Sequence, residues 1–149
     1  MTTRRDARPA DNVLALVHVL SSLIGRAFQG EITPRHGLSL AEWRVMITLA
    51  HHPRASAADI IERWAMQPMM ASRAVRQPER RGWVRRQQRE DDRRSYTLRL
   101  TKRGETAYRG VGGGAERRYR EIVACLSRRE LAELDRALQR LISHTRRLV

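Results

Sequence analysis

Residues 73–109 read RAVRQPERRGWVRRQQREDDRRSYTLRLTKRGETAYR, and this stretch decides the fold. It holds thirteen Lys or Arg against five Asp or Glu, so it carries more than half of the chain's net charge of +14. The pattern predicts a helix that closes at Gly82, a strand over 83–88, a charged hairpin tip over 89–94 and a return strand over 95–100. A basic helix followed by a basic hairpin fits a polyanion with grooves, so the stretch predicts a winged helix on duplex DNA.

The helices before this stretch are predicted from their start signals. A capping box, in which a serine accepts from a first-turn amide and an acid three residues on reaches back, stands at 39–42 and again at 56–59. The first opens a helix to about His51, and the second opens a short helix. Pro68 suits the first position of the next helix, where a missing N–H is harmless. These two short helices and the tight turn at 65–67 predict a helix-turn-helix.

Long helices are predicted at both ends of the chain. Apolar residues recur at intervals of three and four from about residue 12 to Gln29, and Gly30 and Pro34 are expected to end that helix. The last helix opens with a third capping box at 127–130 and carries a heptad seam with one polar break. The seam consists of Leu131, Leu134, Leu138, Leu141, Thr145 and Leu148.

The predicted fold class is therefore mainly α with a small β-hairpin: a winged helix-turn-helix with N- and C-terminal dimerisation helices. The winged helix is expected over about 38–104, and the dimerisation helices over about 12–30 and 105–149, within one domain. Residues 1–11 are polar and are expected to be flexible.

Two segments conflict with regular helices. Pro78 removes one helical hydrogen bond and clashes with the carbonyl of Ala74, so the recognition helix is expected to kink or to end about a turn early. The alternative is that this helix already ends near Gln77. Three glycines at 112–114 cost a helix about 2–3 kcal/mol relative to alanine. They predict a bend or break, with one long helix as the alternative.

Composition narrows the class of protein. One cysteine excludes an intramolecular disulfide, and the five histidines form no cluster with carboxylates at ligand spacing, so no metal site is expected. Neither a nucleophile elbow nor a phosphate-binding glycine loop is found, so no catalytic residue, cofactor or enzyme activity is expected. No apolar signal segment and no apolar run of membrane-spanning length is evident, which predicts a cytoplasmic protein without a membrane partner.

The recognition helix is predicted to turn a polar face outward. Met70, Ala71, Ala74 and Val75 should pack inward, which leaves the other face to contact double-stranded DNA. An exposed arginine-rich helix is often only solvated, but the wing that follows favours base contact. Arginine can bond guanine O6 and N7 in the major groove, and a methionine can touch a thymine methyl. The predicted contact residues are Gln67, Met69, Ser72, Arg73 and Arg76.

The wing tip has two interpretations. The run from Asp91 to Arg94 could be a solvated turn held by local ion pairs. The functional interpretation has Arg93 or Arg94 entering a narrow minor groove, where the negative potential is deepest. Asp92 would not contact DNA, because its charge is repelled by phosphate.

The order of elements and three segments resemble the MarR family of bacterial transcriptional regulators. The segments are GLSLAEWR at 37–44, the recognition-helix and wing-start residues within 72–84, and the wing-tip and Thr-x-x-Gly residues within 92–104. The resemblance spans roughly 12–149. It implies a homodimer with interlocked terminal helices, a pseudo-palindromic site near the protein's own promoter, and release by a small, often aromatic, anionic ligand.

The resemblance also assigns roles to individual residues. At the wing tip, Asp92 would orient an arginine. The ligand pocket would lie between the first two helices, the fifth helix and the DNA-binding lobe. There Arg44 could hold a carboxylate, Trp43 could stack on an aromatic ring and His36 could line the entrance. Trp43 at its helical spacing is more typical of a core residue.

Three functions therefore compete. The leading one is a ligand-responsive, sequence-specific repressor. The high positive charge keeps open a non-specific architectural DNA-binding protein. Pro68 and Pro78 keep open a protein-interaction module whose DNA binding is impaired.

Overall fold

The computed structural model describes residues 12–149, which form six α-helices and one two-stranded antiparallel sheet. The predicted fold class, mainly α with a small β-hairpin, is confirmed; the expectation of flexibility at 1–11 lies outside the described residues. One compact unit ends at Ala115, and Glu116–Val149 form a second. The elements are α1 (Val13–His36), α2 (Leu40–His51), α3 (Ala57–Trp64), α4 (Pro68–Arg80), β1 (Val84–Gln88), β2 (Tyr96–Leu100), α5 (Lys102–Val123) and α6 (Arg128–Arg146).

The core of the first unit lies between α2, α3, α4 and the hairpin. Apolar side chains at helical spacing on α2 meet small residues on α4, and the small residues let the two helices approach closely. β1 and β2 close this core with alternate residues. The buried side chains include Trp43, Val45, Met46, Leu49, Ile60, Ala71, Ala74, Val75, Val84, Leu98 and Leu100.

The hairpin is anchored at its base on both sides. Val84 pairs with Leu100 and Gln88 with Tyr96, so residues 89–95 form the tip. On the outer side of β2, the amide of Arg54 donates to the carbonyl of Leu98 (3.2 Å). The backbone edge of β2 is thereby partly covered, which leaves the wing fixed at its base and projecting at its tip.

Helix α1 differs from its prediction. It continues through Gly30 and Pro34 to His36, because one glycine costs a helix only about 1 kcal/mol and a proline in the last turn removes one bond. Gly37 ends it in the left-handed region (φ 63°), with its amide donating to Thr33. By length and composition alone α1 could cross a membrane, the one such helix among residues 12–149, so the expectation that no apolar run reaches that length is wrong.

Helix α4 continues past Pro78 to Arg80, so the predicted early end is wrong. The proline is in the last turn, where it costs one hydrogen bond, and its ring is fully buried in the core. Its carbonyl accepts from the amide of Trp83 (2.9 Å), which leads the chain from the helix into the wing.

Helix α5 is continuous through the three glycines at 112–114, so the predicted break is wrong and the long helix is found. Val111 and Ala115 are buried on either side of the glycines. This packing holds the glycine segment at both of its ends and offsets its poor helix propensity.

Candidate nucleic-acid interface

The recognition helix α4 is placed by the turn that precedes it. The amide of Ser56 donates to the Asp59 carboxylate (2.6 Å) and Asp59 N–H donates back to the serine hydroxyl, which starts α3. The bond from Ser56 holds the pKa of the Asp59 carboxyl below its ordinary value. Ala65 then ends α3 in the left-handed region (φ 48°), and Pro68 begins α4. These short-range features direct one face of α4 into the core and the other to solvent.

The outward face of α4 carries the predicted contact residues. Met69 is 68% exposed, and the other members of the set are exposed as well. The prediction that Met70 packs inward is wrong, because it is half exposed at the flank of the helix. There it lines a cleft of about 340 Å³ together with Ser39 and Glu42 of the α2 start. The exposed set is Gln67, Met69, Ser72, Arg73 and Arg76.

Arginines of the helix and wing divide into two groups that look alike in the sequence. Six of them make no ion pair and no side-chain hydrogen bond with any residue in the described part of the chain, 12–149. Their guanidinium groups are therefore available to an external anion without first breaking a bond within the protein. The six are the predicted contact residues Arg73, Arg76, Arg93 and Arg94, together with Arg80 and Arg85.

The other group is bound within the protein, and nothing in the local composition distinguishes it from the first. Arg81 donates to the carbonyls of His36 and Gly37 (both 2.9 Å), and its guanidinium lies 4.7 Å from the centre of the Trp83 ring. It thus neutralises the carbonyl end of α1 and ties α1 to the end of the recognition helix. Arg86 is bound to Glu79.

The wing tip is held by backbone-directed bonds. Asp92 Oδ1 accepts from the main-chain amide of Arg94 (2.9 Å), so Asp92 positions the backbone of this arginine. Arg89 pairs with Asp91 (2.8 Å), and its hydrogen bond holds the pKa of the Asp91 carboxyl below its ordinary value. The tip is closed by the amide of Arg89, which donates to the carbonyl of Ser95 (3.1 Å). Arg93 and Arg94 project from this closed turn.

The Thr-x-x-Gly motif joins the wing to α5. The Thr101 hydroxyl donates to the carbonyl of Gly82 (2.6 Å) and accepts from the amide of Gly104 (3.1 Å). The amide of Thr101 donates to the carbonyl of Trp83 (2.9 Å). Gly104 lies so close to that carbonyl that a Cβ would be 2.0 Å from its oxygen. The motif therefore fixes the start of α5 against the end of the recognition helix and the first residues of the wing.

The three predicted ligand residues are each engaged by the protein itself. Trp43 is 3% exposed and stacks on Tyr108 with ring centres 5.2 Å apart. Arg44 lies 5.1 Å from the Trp64 ring, and burial lowers the pKa of its guanidinium. His36 is half-buried, with its carbonyl bound by Arg81. The ligand role of these residues stays a prediction.

A cavity of about 360 Å³ adjoins the Trp43–Tyr108 stack. Its walls combine apolar side chains with two guanidinium groups and one carboxylate. The lining residues are Leu49, Ala50, Pro53, Arg99, Leu100, Glu105, Tyr108 and Arg109.

Comparison with known proteins agrees with this architecture. Residues 38–96 match the family model described as the MarR family. The chain is 28% identical over 112 residues to the homoprotocatechuate degradative operon repressor of Escherichia coli, across 75% of this chain and 76% of that protein. Among solved structures, a MarR/EmrR family transcriptional regulator from Acinetobacter sp. ADP1 has a TM-score of 0.87 at 19% identity, with 94% and 99% of the two chains covered. A mutant MarR from Escherichia coli complexed with operator DNA has a TM-score of 0.72 at 18% identity, with 85% and 90% covered.

Proposed function

We propose that this chain, a transcriptional regulator with a MarR-family domain at residues 38–96, represses transcription by binding a pseudo-palindromic operator as a homodimer. The observation that carries the proposal is that the four predicted contact arginines, two on the exposed face of α4 and two at the wing tip, are all unpaired among the described residues. Site-specific binding requires side chains that are free to meet base edges, and these four meet that requirement.

On duplex DNA, α4 enters the major groove and the wing tip reaches the adjacent minor groove. Arg73 and Arg76 bond guanine edges, with Gln67, Met69 and Ser72 beside them. Arg93 and Arg94 enter the minor groove, and Asp92 fixes the backbone from which they project. The net charge of +14 supplies the sequence-independent part of the affinity.

The homodimer is supported by the apolar rows that α1 and α6 each expose. Large apolar side chains in such rows cost free energy in water, and a second copy of the chain would cover them. Burial in a dimer interface would account for a long apolar helix such as α1 in a cytoplasmic protein. The exposed members are Val13, Leu14, Leu16, Val17, Val19, Leu20 and Leu23 of α1 and Leu134, Leu141 and Ile142 of α6.

Release by a small aromatic or anionic effector completes the proposal. The predicted residues His36, Trp43 and Arg44 lie where α1 and α2 meet the core. The cavity beside Tyr108 offers an apolar floor with two guanidinium groups, a combination that suits an organic anion. An effector bound near α5 would change the position of the wing through the contacts of Thr101 and Gly104 that join the two.

The deciding experiment is a gel shift with DNA from upstream of the protein's own gene. A complex that survives an excess of shuffled duplex identifies a sequence-specific regulator. Equal affinity for the shuffled duplex would identify an architectural DNA-binding protein, and absence of any complex would identify a module that does not bind DNA. The uninterrupted course of α4 to Arg80 favours DNA binding over the last of these.

Arg73→Ala is expected to weaken operator binding by about 1–3 kcal/mol, because a bidentate contact with guanine is lost. Fluorescence anisotropy with operator and shuffled duplexes measures the change. The matched control is Arg128→Ala at the exposed start of α6, which removes the same charge and should affect both duplexes slightly and equally. An Arg73→Ala variant that behaves like this control would exclude a base contact.

In the same assay Arg94→Ala should weaken binding most on sites with AT-rich flanks.

A further inference from the structure

Three side chains connect the wing to the recognition helix. The Arg86 guanidinium of β1 donates to both carboxylate oxygens of Glu79 in the last turn of α4, at 2.6 Å and 3.2 Å. The same guanidinium lies 4.5 Å from the centre of the Tyr96 ring on β2. We call Glu79, Arg86 and Tyr96 the brace. It connects α4, β1 and β2.

The position of the brace follows from strand alternation. Val84, Arg86 and Gln88 lie on one face of β1, opposite Leu100, Leu98 and Tyr96 of β2. Near the base of the hairpin this face is filled by buried apolar side chains. Farther toward the tip the core ends, and Arg86 with Tyr96 continues the contact with α4.

The bonding of Arg86 is suited to fixing an angle between elements. A two-point contact with a carboxylate restricts rotation more than a single hydrogen bond does, and stacking on a ring fixes the plane of the guanidinium. The hydrogen bond to Glu79 also raises the pKa of Arg86 above its ordinary value. Because the side chains of Arg86 and Glu79 are 49% and 22% exposed, water weakens the attraction, so the geometric restriction matters more than the strength of the pair.

We propose that Arg86 is a positioning residue for DNA recognition, which holds the wing at the angle to α4 at which both elements contact one duplex. This rests on the proposed function. Arg86 acts through Glu79 and Tyr96, whereas Arg73 and Arg94 make the contacts with DNA. The brace therefore sets whether the major-groove and minor-groove contacts are made together.

Glu79 could act on DNA binding as a charge that repels phosphate or as the partner that holds Arg86, and the two roles predict opposite results for Glu79→Gln. Removal of an acid near a polyanion would by itself tighten binding to every duplex. Loss of the brace instead weakens operator binding, by about tenfold, while binding to shuffled duplex is unchanged or tighter. Arg86→Gln should weaken operator binding by a similar factor.

The double variant Glu79→Gln/Arg86→Gln completes a thermodynamic cycle. If the two side chains act as one unit, operator affinity of the double variant should equal that of either single variant within about twofold. Arg85→Gln is the matched control, since Arg85 is the exposed neighbour on the opposite face of β1 and its side chain forms no ion pair with any of the described residues 12–149. It should lower affinity for operator and shuffled duplex by the same factor.

Footprinting separates positioning from a general loss of fold. In Arg86→Gln, hydroxyl-radical protection of the minor-groove flanks should weaken, while protection of guanine N7 by α4 persists. Operator binding by Glu79→Gln that equals or exceeds that of the parent would overturn the proposal. So would losses that multiply in the double variant, or equal loss of both kinds of protection. A parent protein without operator preference would instead overturn the proposed function.

Discussion

Replacement of Gly104 by alanine is expected to destabilise the protein by about 3 kcal/mol, because the added Cβ overpacks a contact between backbone segments. The Cβ would lie 2.0 Å from the carbonyl oxygen of Trp83. That oxygen already accepts from the amide of Thr101, so relief of the clash would break the junction between the wing and α5. At this chain length the loss corresponds to a fall in melting temperature of about 10 °C.

Gly110→Ala is the matched control in the same helix. A Cβ at Gly110 has no neighbour within 4 Å among the residues that the structure describes. Alanine has the better helix propensity, so this variant should gain about 0.5–1 kcal/mol. Thermal unfolding followed by circular dichroism measures both variants. A Gly104→Ala protein that melts within about 2 °C of the parent would contradict the close approach.

Leu141→Asp is expected to convert the protein into a monomer and to reduce operator affinity by several orders of magnitude. Leu141 is 43% exposed in the single chain, so the substitution leaves the fold of one copy largely unaffected. In the proposed dimer it would place an unpaired charge in an apolar seam, which costs several kcal/mol. Each monomer could then occupy only one half of the operator.

Ser143→Asp provides the control for this prediction, since it adds the same charge on the polar face of α6, where Arg140 and Arg147 line the same groove. It should remain a dimer and bind the operator. Light scattering at micromolar concentration gives the mass of each variant. A parent protein that is monomeric at this concentration, or a Leu141→Asp protein that is still dimeric, would contradict the proposed dimer interface at Leu141.

Features governed by neighbours in sequence were predictable. The capping boxes at 39–42, 56–59 and 127–130 are present as expected, because a serine and an acid three residues apart find each other within one helical turn. The hairpin was predicted within one residue at each strand, since alternation and the charged tip are local signals.

Features governed by distant contacts were not predictable in the same way. The end of α1 at His36 is supported by Arg81, which is 45 positions away in the chain. The course of α4 through Pro78 depends on burial of the proline ring, which no local pattern indicates. Arg85 and Arg86 look equivalent in the sequence, but alternation from the buried Val84 puts only Arg86 on the face toward α4. That signal was available and could have identified the brace.

The salt dependence of operator binding tests the central claim most directly, namely that the unpaired arginines of α4 and the wing bind DNA. The wild-type protein is titrated with the upstream duplex and with a shuffled duplex between about 50 and about 200 mM salt. Operator affinity should fall by about a thousandfold, because binding releases counterions from the DNA and this release is less favourable at higher salt. The operator should be preferred over the shuffled duplex at both concentrations. An operator affinity that is unchanged across this range would contradict the account.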